Sequence, residues 1–371
     1  MEKVRLGFVG CGATGVMYGP VLKYLRRGVA TAFMDPDRER AECLASMYGG
    51  SVYTDYEKML EKAPIDAVVV VSPVYLHAEQ TVLAAEAGKH VLCEKPMART
   101  LSECDRMISA CRDAGVVLMI GLMKRYDKSF LYAKELIEEG ILGEIVAVRC
   151  DWSWNSYDGS TWRRKRMTLG GIFQDHGSHT VDLCRWWLGE IEVASGEINI
   201  LVKGAEVEDQ AVAVFRHEGG RLSLHYQSNM THKPLNEYYL IDGSKASLEI
   251  QFGPAWSYTS TEPFRMILYR RGRYAEDITR YNESNLDIEL QRHGRYLKEL
   301  EHFCECVQEG KEPRTTGEDG RKALEAVLAV YLSSYKGQKV HLPLSEDPDL
   351  EEIFSFYLRK SFHISEPEES R

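Results

Sequence analysis

The sequence lacks two features that would place it in large classes of proteins. It has no apolar run near the roughly 20 residues needed to cross a bilayer, so no membrane span is expected. Basic residues are the minority, with 46 Lys and Arg against 56 Asp and Glu and a formal net charge of −10. A nucleic-acid partner requires a basic face, so this balance argues against one.

A regular cysteine framework is also absent. The nine cysteines are an odd number, scattered without regular spacing, which fits reduced thiols rather than disulfides. Cys304 and Cys306 are too close together and too isolated for a zinc site, so both are expected to be ordinary helix residues. The first residues lead directly into a predicted strand without a secretory signal. We therefore expect a cytoplasmic protein.

What the sequence does contain, near its start, is a glycine-rich loop between a predicted strand and a predicted helix. Residues 4–9 are mostly apolar, and after the loop a helical pattern continues to Arg27. In this context glycines allow a tight turn, close approach to a pyrophosphate and close packing of helix on strand, while the helix N-terminus favours an anion. The loop predicts a dinucleotide cradle of six residues: Gly10, Cys11, Gly12, Ala13, Thr14 and Gly15.

Asp35 follows the second predicted strand, residues 30–34. It lies at the separation where a carboxylate accepts hydrogen bonds from an adenosine ribose. Because a carboxylate repels a 2′-phosphate, NAD is favoured over NADP, although the nearby Arg38 leaves NADP open. A helix N-cap before Pro36 is the structural alternative for Asp35.

A run of valines at residues 68–71 predicts a central parallel strand that is buried on both faces. Ser72 and Pro73 close this strand at the edge where ligands bind in doubly wound sheets. His77, early in the next predicted helix, is a candidate cofactor residue at this edge. A capping or core role is an equally good interpretation of His77.

Lys95 follows a further buried strand, within the stretch Cys93–Pro96. A lysine there is costly to bury unless it is paired or used. Glu94 offers a partner, and Pro96 fixes the backbone after the lysine. A surface lysine at a strand end is the commoner case, but the glycine loop, Asp35 and an Asp/His pair downstream favour a functional role.

From residue 145 the pattern changes to successive alternating strands, which indicate an open, largely antiparallel sheet. The predicted fold class is α/β. It combines an N-terminal Rossmann domain, a doubly wound parallel sheet, with a C-terminal α+β domain that has a large, mostly antiparallel open sheet. The predicted limits are 1–123 for nucleotide binding, 124–344 for substrate binding and oligomerisation, and 345–371 for an acidic tail.

A Gly170-Gly171 pair opens one predicted helix of the second domain. Asp175 and His179 are four residues apart and therefore share a face of that helix, while the glycines let a ligand approach the backbone. A lone histidine is usually a core or surface residue, but an Asp at this spacing favours function. No metal is expected, because His176 diverges from Asp175 around the helix.

The segment before this helix contains groups that suit a sugar: Trp152, Trp154, Asn155, Tyr157, Asp158 and Trp162. Aromatic rings pack on sugar faces, although core packing is the alternative for at least one tryptophan. The basic run Arg163–Arg166 could receive a carboxylate or phosphate. A solvated loop is the commoner explanation of such a run.

Together these residues suit hydride removal from a carbinol carbon, which requires a base for the hydroxyl proton. Histidine side chains in general titrate near neutrality, and His179 is the candidate base. Lys95 can donate to the same oxygen and stabilise the developing alkoxide charge. Asp175 can accept a second hydroxyl and orient the base. A polyol suits such a polar cluster.

With these residues in place, the sequence resembles the Gfo/Idh/MocA family of oxidoreductases, and especially its inositol dehydrogenases, from residue 4 to about residue 344. The likeness rests on the glycine loop and on these positions: Asp35, Ser72-Pro73 with His77, Glu94-Lys95-Pro96, Trp162-Arg163, and Gly170-Gly171 with Asp175 and His179. It implies that Lys95, Asp175 and His179 form the catalytic group. It further implies a homodimer or homotetramer built through the C-terminal sheet.

The resemblance implies three substrate-pocket residues, Lys124, Asn155 and Tyr238, beside the candidates Trp162 and Arg163. The predicted function is thus an NAD-dependent oxidoreductase acting on a secondary alcohol of a cyclic polyol or sugar. Two alternatives stay open. The enzyme could be a glycosidase, lyase or epimerase that oxidises a sugar transiently and recycles NAD, or the protein could be a non-catalytic sensor that binds a nucleotide.

Overall fold

The structure is a computed structural model, and it describes residues 2–154, 161–231, 236–251, 265–279 and 288–360. Asn155, Tyr157 and Asp158, which the sequence suggested as sugar-binding residues, lie outside the described residues. The elements are numbered below in chain order.

The first 121 residues alternate strands with helices. The strands are β1 (Val4–Val9), β2 (Gly28–Met34), β3 (Ser51–Tyr53), β4 (Ala67–Val70), β5 (His90–Glu94) and β6 (Leu118–Gly121). The helices are α1 (Ala13–Leu22), α2 (Arg38–Tyr48), α3 (Tyr56–Lys62), α4 (Val74–Glu86) and α5 (Leu101–Asp113).

These six strands form one parallel sheet in the order β3-β2-β1-β4-β5-β6. β4 is a run of fully buried residues, as expected for a central strand with helices on both faces. The strand order reverses beside β1, so the carboxyl ends of β1 and β4 flank the crevice where doubly wound sheets bind ligands. The predicted Rossmann sheet is confirmed.

The middle of the chain is rich in strands. Its helices are α6 (Lys128–Glu138), α7 (Ile172–Asp175) and α8 (Gly177–Leu188). Its strands are β7 (Ile145–Ser153), β8 (Ile191–Asn199), β9 (Gln210–His217), β10 (Leu222–Ser228), β11 (Asn236–Gly243), β12 (Ala246–Gln251), β13 (Arg265–Arg270) and β14 (Glu276–Asp277). The last part contains α9 (Ile288–Glu309), α10 (Gly317–Lys336), β15 (Val340–His341) and α11 (Leu350–Lys360).

The second sheet has nine strands in the order β14-β13-β12-β11-β7-β10-β9-β8-β15. Its neighbours pair antiparallel except β10 and β7, which run parallel. One face packs on α6 and α8 around a core that includes Phe130, Trp187 and Tyr239. The other face carries exposed apolar residues on alternate positions of β9 and β10. The predicted open, mostly antiparallel sheet is confirmed.

The chain divides into two compact units. The first comprises residues 1–127 and 286–322, and the second comprises residues 128–285 and 323–371. The sequence prediction assigned residues 286–322 to the second domain, whereas here α9 groups with the first. The reason is visible in its contacts: Glu301 caps the backbone N–H groups of Arg26 and Arg27, and Gln308 donates to the Arg27 carbonyl.

All nine cysteines are free thiols, as the sequence indicated, and Cys304 and Cys306 are buried on α9. Within the described residues, no helix is long and apolar enough to cross a membrane.

Candidate active site

The glycine loop has the geometry of a phosphate cradle. Gly10 has φ +103°, and a Cβ there would lie 2.8 Å from the Ser72 backbone nitrogen. A Cβ on Gly15 would lie 2.6 Å from the Gly10 carbonyl oxygen, so helix and strand pack too closely for a side chain. Above Gly12, by contrast, a Cβ would meet no atom closer than Arg40 Nη1 at 4.0 Å. The space over Gly12 and the N-terminus of α1 therefore fits a pyrophosphate.

Asp35 secures this loop from the end of β2. Its Oδ2 accepts the Cys11 backbone N–H at 2.8 Å, and its Oδ1 accepts the Asp37 N–H at 2.9 Å. Asp37, not Asp35, is the N-cap of α2. The helix-cap alternative for Asp35 is therefore wrong, and its carboxylate lies beside the cradle with lone pairs left for ribose hydroxyls.

The two basic residues near Asp35 are held by acidic neighbours. Arg38 Nε donates to Glu42 at 2.6 Å, and Arg40 Nε lies 3.0 Å from Asp37 Oδ2. Both guanidinium groups are largely exposed. A 2′-phosphate would therefore have to compete with carboxylates for either arginine.

His77 links two loops at the carboxyl edge of the parallel sheet. Its Nε2 lies 2.8 Å from the Ser72 carbonyl oxygen and its Nδ1 lies 2.9 Å from the Pro96 carbonyl oxygen. The ring is buried, and burial lowers the pKa of His77 despite these carbonyl partners. His77 therefore ties the Ser72-Pro73 turn to the loop that carries Lys95. Ser72 Oγ is 2.5 Å from Gln80 Oε1.

Glu94 and Lys95 follow β5 at the same edge. Glu94 is buried, its Oε2 accepts the Lys95 backbone N–H at 3.0 Å, and its Oε1 accepts the Tyr18 hydroxyl at 2.8 Å. The peptide bond between Lys95 and Pro96 is cis. Lys124 is also buried, on a 3-10 turn at Met123–Tyr126 that follows β6. The neighbouring Arg125 pairs with Asp319 at 3.0 Å.

In the second unit, the Gly170-Gly171 turn is fixed by a buried glutamate. Glu208 accepts the backbone N–H groups of Gly171 at 2.6 Å and Phe173 at 2.8 Å, and the Tyr331 hydroxyl at 2.7 Å. A Cβ on Gly171 would lie 1.8 Å from the Glu208 carbonyl oxygen, so only glycine fits there. Burial outweighs the three donors and raises the pKa of Glu208 to about 7.

Asp175 ends α7 between two basic groups. Its Oδ2 lies 3.7 Å from Arg163 Nε and 3.6 Å from His176 Nε2. The His176 ring stacks on Trp152 with centroids 3.7 Å apart, and the Arg163 guanidinium lies over the Trp162 ring. The predicted single helix is interrupted at His176, and His179 lies buried in the first turn of α8. Trp152 is fully buried, which fits the core-packing alternative for one tryptophan.

Two residues of the basic run are structural. Lys165 donates to the Gly204 carbonyl and lies 3.4 Å from Glu206, while Arg166 donates to Glu351 and Ser355 on or near α11. Both side chains are partly exposed, so the interpretation of this run as a solvated loop stays a prediction. Their contacts fix the segment that leads to the Gly170-Gly171 turn.

The structure does not bring Tyr238 to His179. The next residue on β11, Tyr239, packs edge-on against Trp187 of α8 with centroids 5.9 Å apart. Because successive side chains of a strand point to opposite faces, Tyr238 lies on the other face of the sheet, near Glu249 and Arg149. Alternation along β11 places Tyr238 on the face away from α8, and its pocket role stays a prediction.

Comparisons with known proteins agree with this architecture. The family model described as "Oxidoreductase family, NAD-binding Rossmann fold" matches residues 4–122, and "Oxidoreductase family, C-terminal alpha/beta domain" matches residues 134–342. The chain belongs to the Gfo/Idh/MocA family of oxidoreductases. The resemblance seen in the sequence is confirmed, and the first unit is an NAD(P)-binding domain.

Two curated proteins are similar over most of the chain. Myo-inositol 2-dehydrogenase of Thermotoga maritima is 30% identical over 330 residues, which are 86% of this chain and 93% of that protein. The 2,7-anhydro-N-acetylneuraminate hydratase of Mediterraneibacter gnavus is 26% identical over 373 residues, 92% of this chain and 97% of that protein.

A solved structure is similar as well. The aldose-aldose oxidoreductase of Caulobacter crescentus in complex with glycerol superimposes with a TM-score of 0.80 at 27% identity. The match covers 92% of this chain and 100% of that one.

The sequence did not point to several buried residues that hold site segments in place. Glu208, Tyr18 and Glu299 are buried and hydrogen-bonded to site segments, but each is an isolated polar residue within an ordinary strand end or helix pattern. A buried polar position on an otherwise apolar helix face is the signal that could have drawn attention to Tyr18 and Glu299.

One group of potential metal ligands occurs among the described residues, formed by Cys150, Cys184 and His225. The two sulfurs are 3.5 Å apart. Both ring nitrogens of His225 already have hydroxyl partners at 3.0 Å, on Thr180 and Ser223. We interpret this group as polar contacts within the core of the second unit.

Proposed function

We propose that the protein is an NAD-dependent dehydrogenase that removes a hydride from a secondary alcohol of a cyclic polyol or sugar. One observation carries the proposal: the His77 ring spans the Ser72 and Pro96 carbonyl oxygens. This contact keeps the Lys95 loop at the carboxyl edge of the sheet, the edge that also holds the glycine cradle. A lysine kept at a nucleotide edge suits a reaction at the nicotinamide end of the cofactor.

NAD is the proposed cofactor, held by the backbone of residues 10–15 and by Asp35. When bound, it supplies the hydride acceptor. The Asp35 carboxylate at the end of β2 favours a ribose with both hydroxyls free, because it would repel a 2′-phosphate. Arg38 and Arg40, the local cations that could offset this repulsion, already pair with Glu42 and Asp37.

His179 is the proposed general base for the hydroxyl proton, and Lys95 is proposed to donate to the same oxygen and to stabilise its developing negative charge. Asp175 would bind a neighbouring hydroxyl. Arg163 Nε and His176 Nε2 lie 3.7 Å and 3.6 Å from its Oδ2, and these contacts hold the carboxylate in place for that role. Trp162 and Lys124 stay candidate substrate residues.

A polyol or sugar substrate is supported by the relatives, which include dehydrogenases of myo-inositol, scyllo-inositol and D-xylose. The direct test is to incubate the purified protein with NAD and a panel of inositols, aldoses and sugar acids and to follow reduced cofactor. We expect turnover with at least one member. Lys95→Met and His179→Ala should abolish it, while Lys58→Met, at an exposed lysine on α3, should not. No reduction of NAD or NADP across the panel would contradict the proposal.

A second function is favoured by one specific finding, the similarity to hydratases of 2,7-anhydro-N-acetylneuraminate. Such an enzyme could use the same residues to oxidise a sugar transiently and return the hydride. Product formation with catalytic NAD and no net NADH would support it. A nucleotide-binding sensor would instead bind NAD and sugar without turning either over.

We also propose self-association through the outer face of the nine-stranded sheet. Five large apolar residues are exposed there: Val146, Val212, Val214, Leu222 and Leu224. Leu224 pairs with Val214 across β10 and β9, so these side chains form one patch. A contiguous apolar patch on a sheet face marks an interaction surface, and a second copy of the chain is its proposed occupant.

A further inference from the structure

A tyrosine hydroxyl joins two buried carboxyl groups in the first unit. Tyr18 Oη lies 2.8 Å from Glu94 Oε1 and 2.7 Å from Glu299 Oε2. The three side chains come from α1, the end of β5 and α9, and all are buried. Since Glu94 also accepts the Lys95 backbone N–H, a continuous chain of hydrogen-bonding groups runs from Glu299 to Lys95.

This hydrogen-bonded series needs one proton more than it would hold if both carboxyl groups were ionised. A phenol carries one hydrogen and can donate to only one of the two oxygens. If Glu94 and Glu299 were both ionised, the phenol oxygen would face the lone pairs of the second carboxylate at less than 3 Å. Two carboxylates that share a buried site also resist double ionisation. One of them therefore carries a proton.

The surroundings assign that proton to Glu299. Within the described residues its Oε1 has no hydrogen-bond partner. In the part of the chain that the structure describes, the titratable groups that act on it are Glu94 after β5, Tyr18 of α1 and Tyr126 of the turn after β6, and none of these is a cation. Burial and then the charge of Glu94 raise the pKa of Glu299 well above its usual range. Glu94, in contrast, accepts both the Tyr18 hydroxyl and the Lys95 N–H.

We propose that Glu299 is a neutral carboxylic acid in the folded protein, and that Glu299, Tyr18 and Glu94 together position Lys95. The Glu299 O–H donates to the Tyr18 oxygen, the Tyr18 O–H donates to Glu94, and Glu94 holds the Lys95 backbone. Glu299 and Tyr18 are thus positioning residues that act through Glu94. The protonation state rests on the hydrogen-bond geometry and the burial of Glu299, and only the link to Lys95 chemistry rests on the proposed function.

Infrared spectroscopy tests the proton directly. The full-length protein at about pH 9, where Glu208 with its pKa of about 7 is ionised, should show a carboxylic acid C=O band that shifts in D2O and disappears in Glu299→Gln. Glu305→Gln is the matched control, because Glu305 lies on the same helix but pairs with Lys311, which lowers its pKa. The control should keep the band. A spectrum without the band, or with a band that survives Glu299→Gln, would overturn the proposal.

The pH dependence of stability provides a second test. A carboxyl group whose folded pKa exceeds its unfolded value binds more protons in the native state, so stability falls as pH rises above the unfolded value. Glutamine does not titrate. The Tm of Glu299→Gln minus that of the parent should therefore increase from about pH 5 to about pH 8. The same difference for Glu305→Gln should stay flat, since that side chain is ionised throughout. A flat difference for Glu299→Gln would refute the neutral acid.

Kinetics test the positioning role. With a polyol that the protein oxidises, Tyr18→Phe should lower kcat by about tenfold through misplacement of Lys95, with little change in KM for NAD. Glu299→Gln, which keeps an N–H donor towards Tyr18, should retain more of kcat than Glu299→Ala. An unchanged kcat in Tyr18→Phe would refute the positioning role. If no polyol is oxidised, the proposed function fails, while the infrared and stability results still decide whether Glu299 is neutral.

Discussion

In each unit, single buried carboxyl groups hold backbone segments by accepting their N–H groups. Asp35 accepts the Cys11 N–H, Glu94 accepts the Lys95 N–H, and Glu208 accepts the Gly171 N–H. Each connection joins a chemically important loop to a rigid strand end or sheet segment. Hydrogen bonds from backbone N–H groups to a charged acceptor are stronger than neutral ones. An ionised carboxylate can therefore hold a loop in place even where the loop has few apolar side chains to pack.

Replacing Asp35 tests cofactor choice. Asp35→Ala should weaken NAD binding by about tenfold, or about 1.4 kcal/mol, because the ribose loses its acceptor and Cys11 N–H loses its anchor. Binding of NADP should weaken less, since the repulsion of a 2′-phosphate is removed as well. Titration of each nucleotide by thermal shift would measure both. Asp37→Ala, which removes the α2 cap, should lower Tm without changing the preference, and an unchanged preference in Asp35→Ala would argue against the assigned role.

Glu208 gives the stability of the protein a defined pH dependence. Burial raises its pKa to about 7, against about 4.3 in an unfolded chain. The native state therefore binds more protons between these values, and the free energy of unfolding falls as pH rises through this window. The total loss of unfolding free energy across the window is of the order of 3 kcal/mol. It is complete above the folded pKa.

Urea unfolding of the parent and of Glu208→Gln between about pH 4.5 and about pH 8 measures this contribution of Glu208 to the free energy of unfolding. The free energy of unfolding of Glu208→Gln minus that of the parent should increase as pH rises. Tyr331→Phe should keep the sign of the slope, because it removes one donor and leaves the carboxyl group in place. A parent protein whose stability rises over this window relative to Glu208→Gln would contradict the assignment.

At the scale of secondary structure, the Gly170-Gly171 turn and the break at His176 decide where Asp175 and His179 lie. α7 is only four residues long and begins against the Glu208 carbonyl. A hydrogen bond from the His179 backbone N–H to the carbonyl of His176, three residues earlier, then starts α8. Spacing along the sequence predicted a continuous helix, while packing on Glu208 and the stacking of His176 on Trp152 favour two segments.

Two glycine substitutions separate a required glycine from a dispensable one. Gly171→Ala should lower Tm and disturb Asp175, because its Cβ would lie 1.8 Å from a backbone oxygen. Gly294→Ala, on α9, meets no atom within 4 Å and should stabilise the protein by about 0.5–1 kcal/mol through helix propensity. Thermal unfolding of both variants measures the contrast. Equal effects would mean that the turn tolerates a side chain.

At the scale of the whole molecule, each unit is organised around its own sheet. The parallel sheet brings strand ends together at one edge, where the cradle, Asp35, Ser72 and Lys95 follow their strands. The antiparallel sheet covers one face with α6 and α8 and leaves alternate apolar residues exposed on the other. A second copy of the chain is the proposed cover of that second face.

A charge placed in this patch tests the proposal. Leu224→Arg should reduce the mass seen by light scattering to that of one chain, because an unpaired arginine would be buried between copies. Met47→Arg is the control, at an exposed residue of α2 in the first unit, and should leave the mass unchanged. A parent protein that is already a single chain would contradict self-association through this face.

The sequence by itself determined the α/β class, the glycine loop between a strand and a helix, and the place of Asp35 after the second strand. These features depend on local spacing: glycines in a turn, period-two or helical apolar patterns and residues next to a strand end. Only the tertiary structure decided which distant groups meet. Tyr18 reaches Glu299 across 281 residues, and β11 turns Tyr238 to the outer face of its sheet. Such partners depend on how elements pack, and the spacing of residues along the chain does not contain that information.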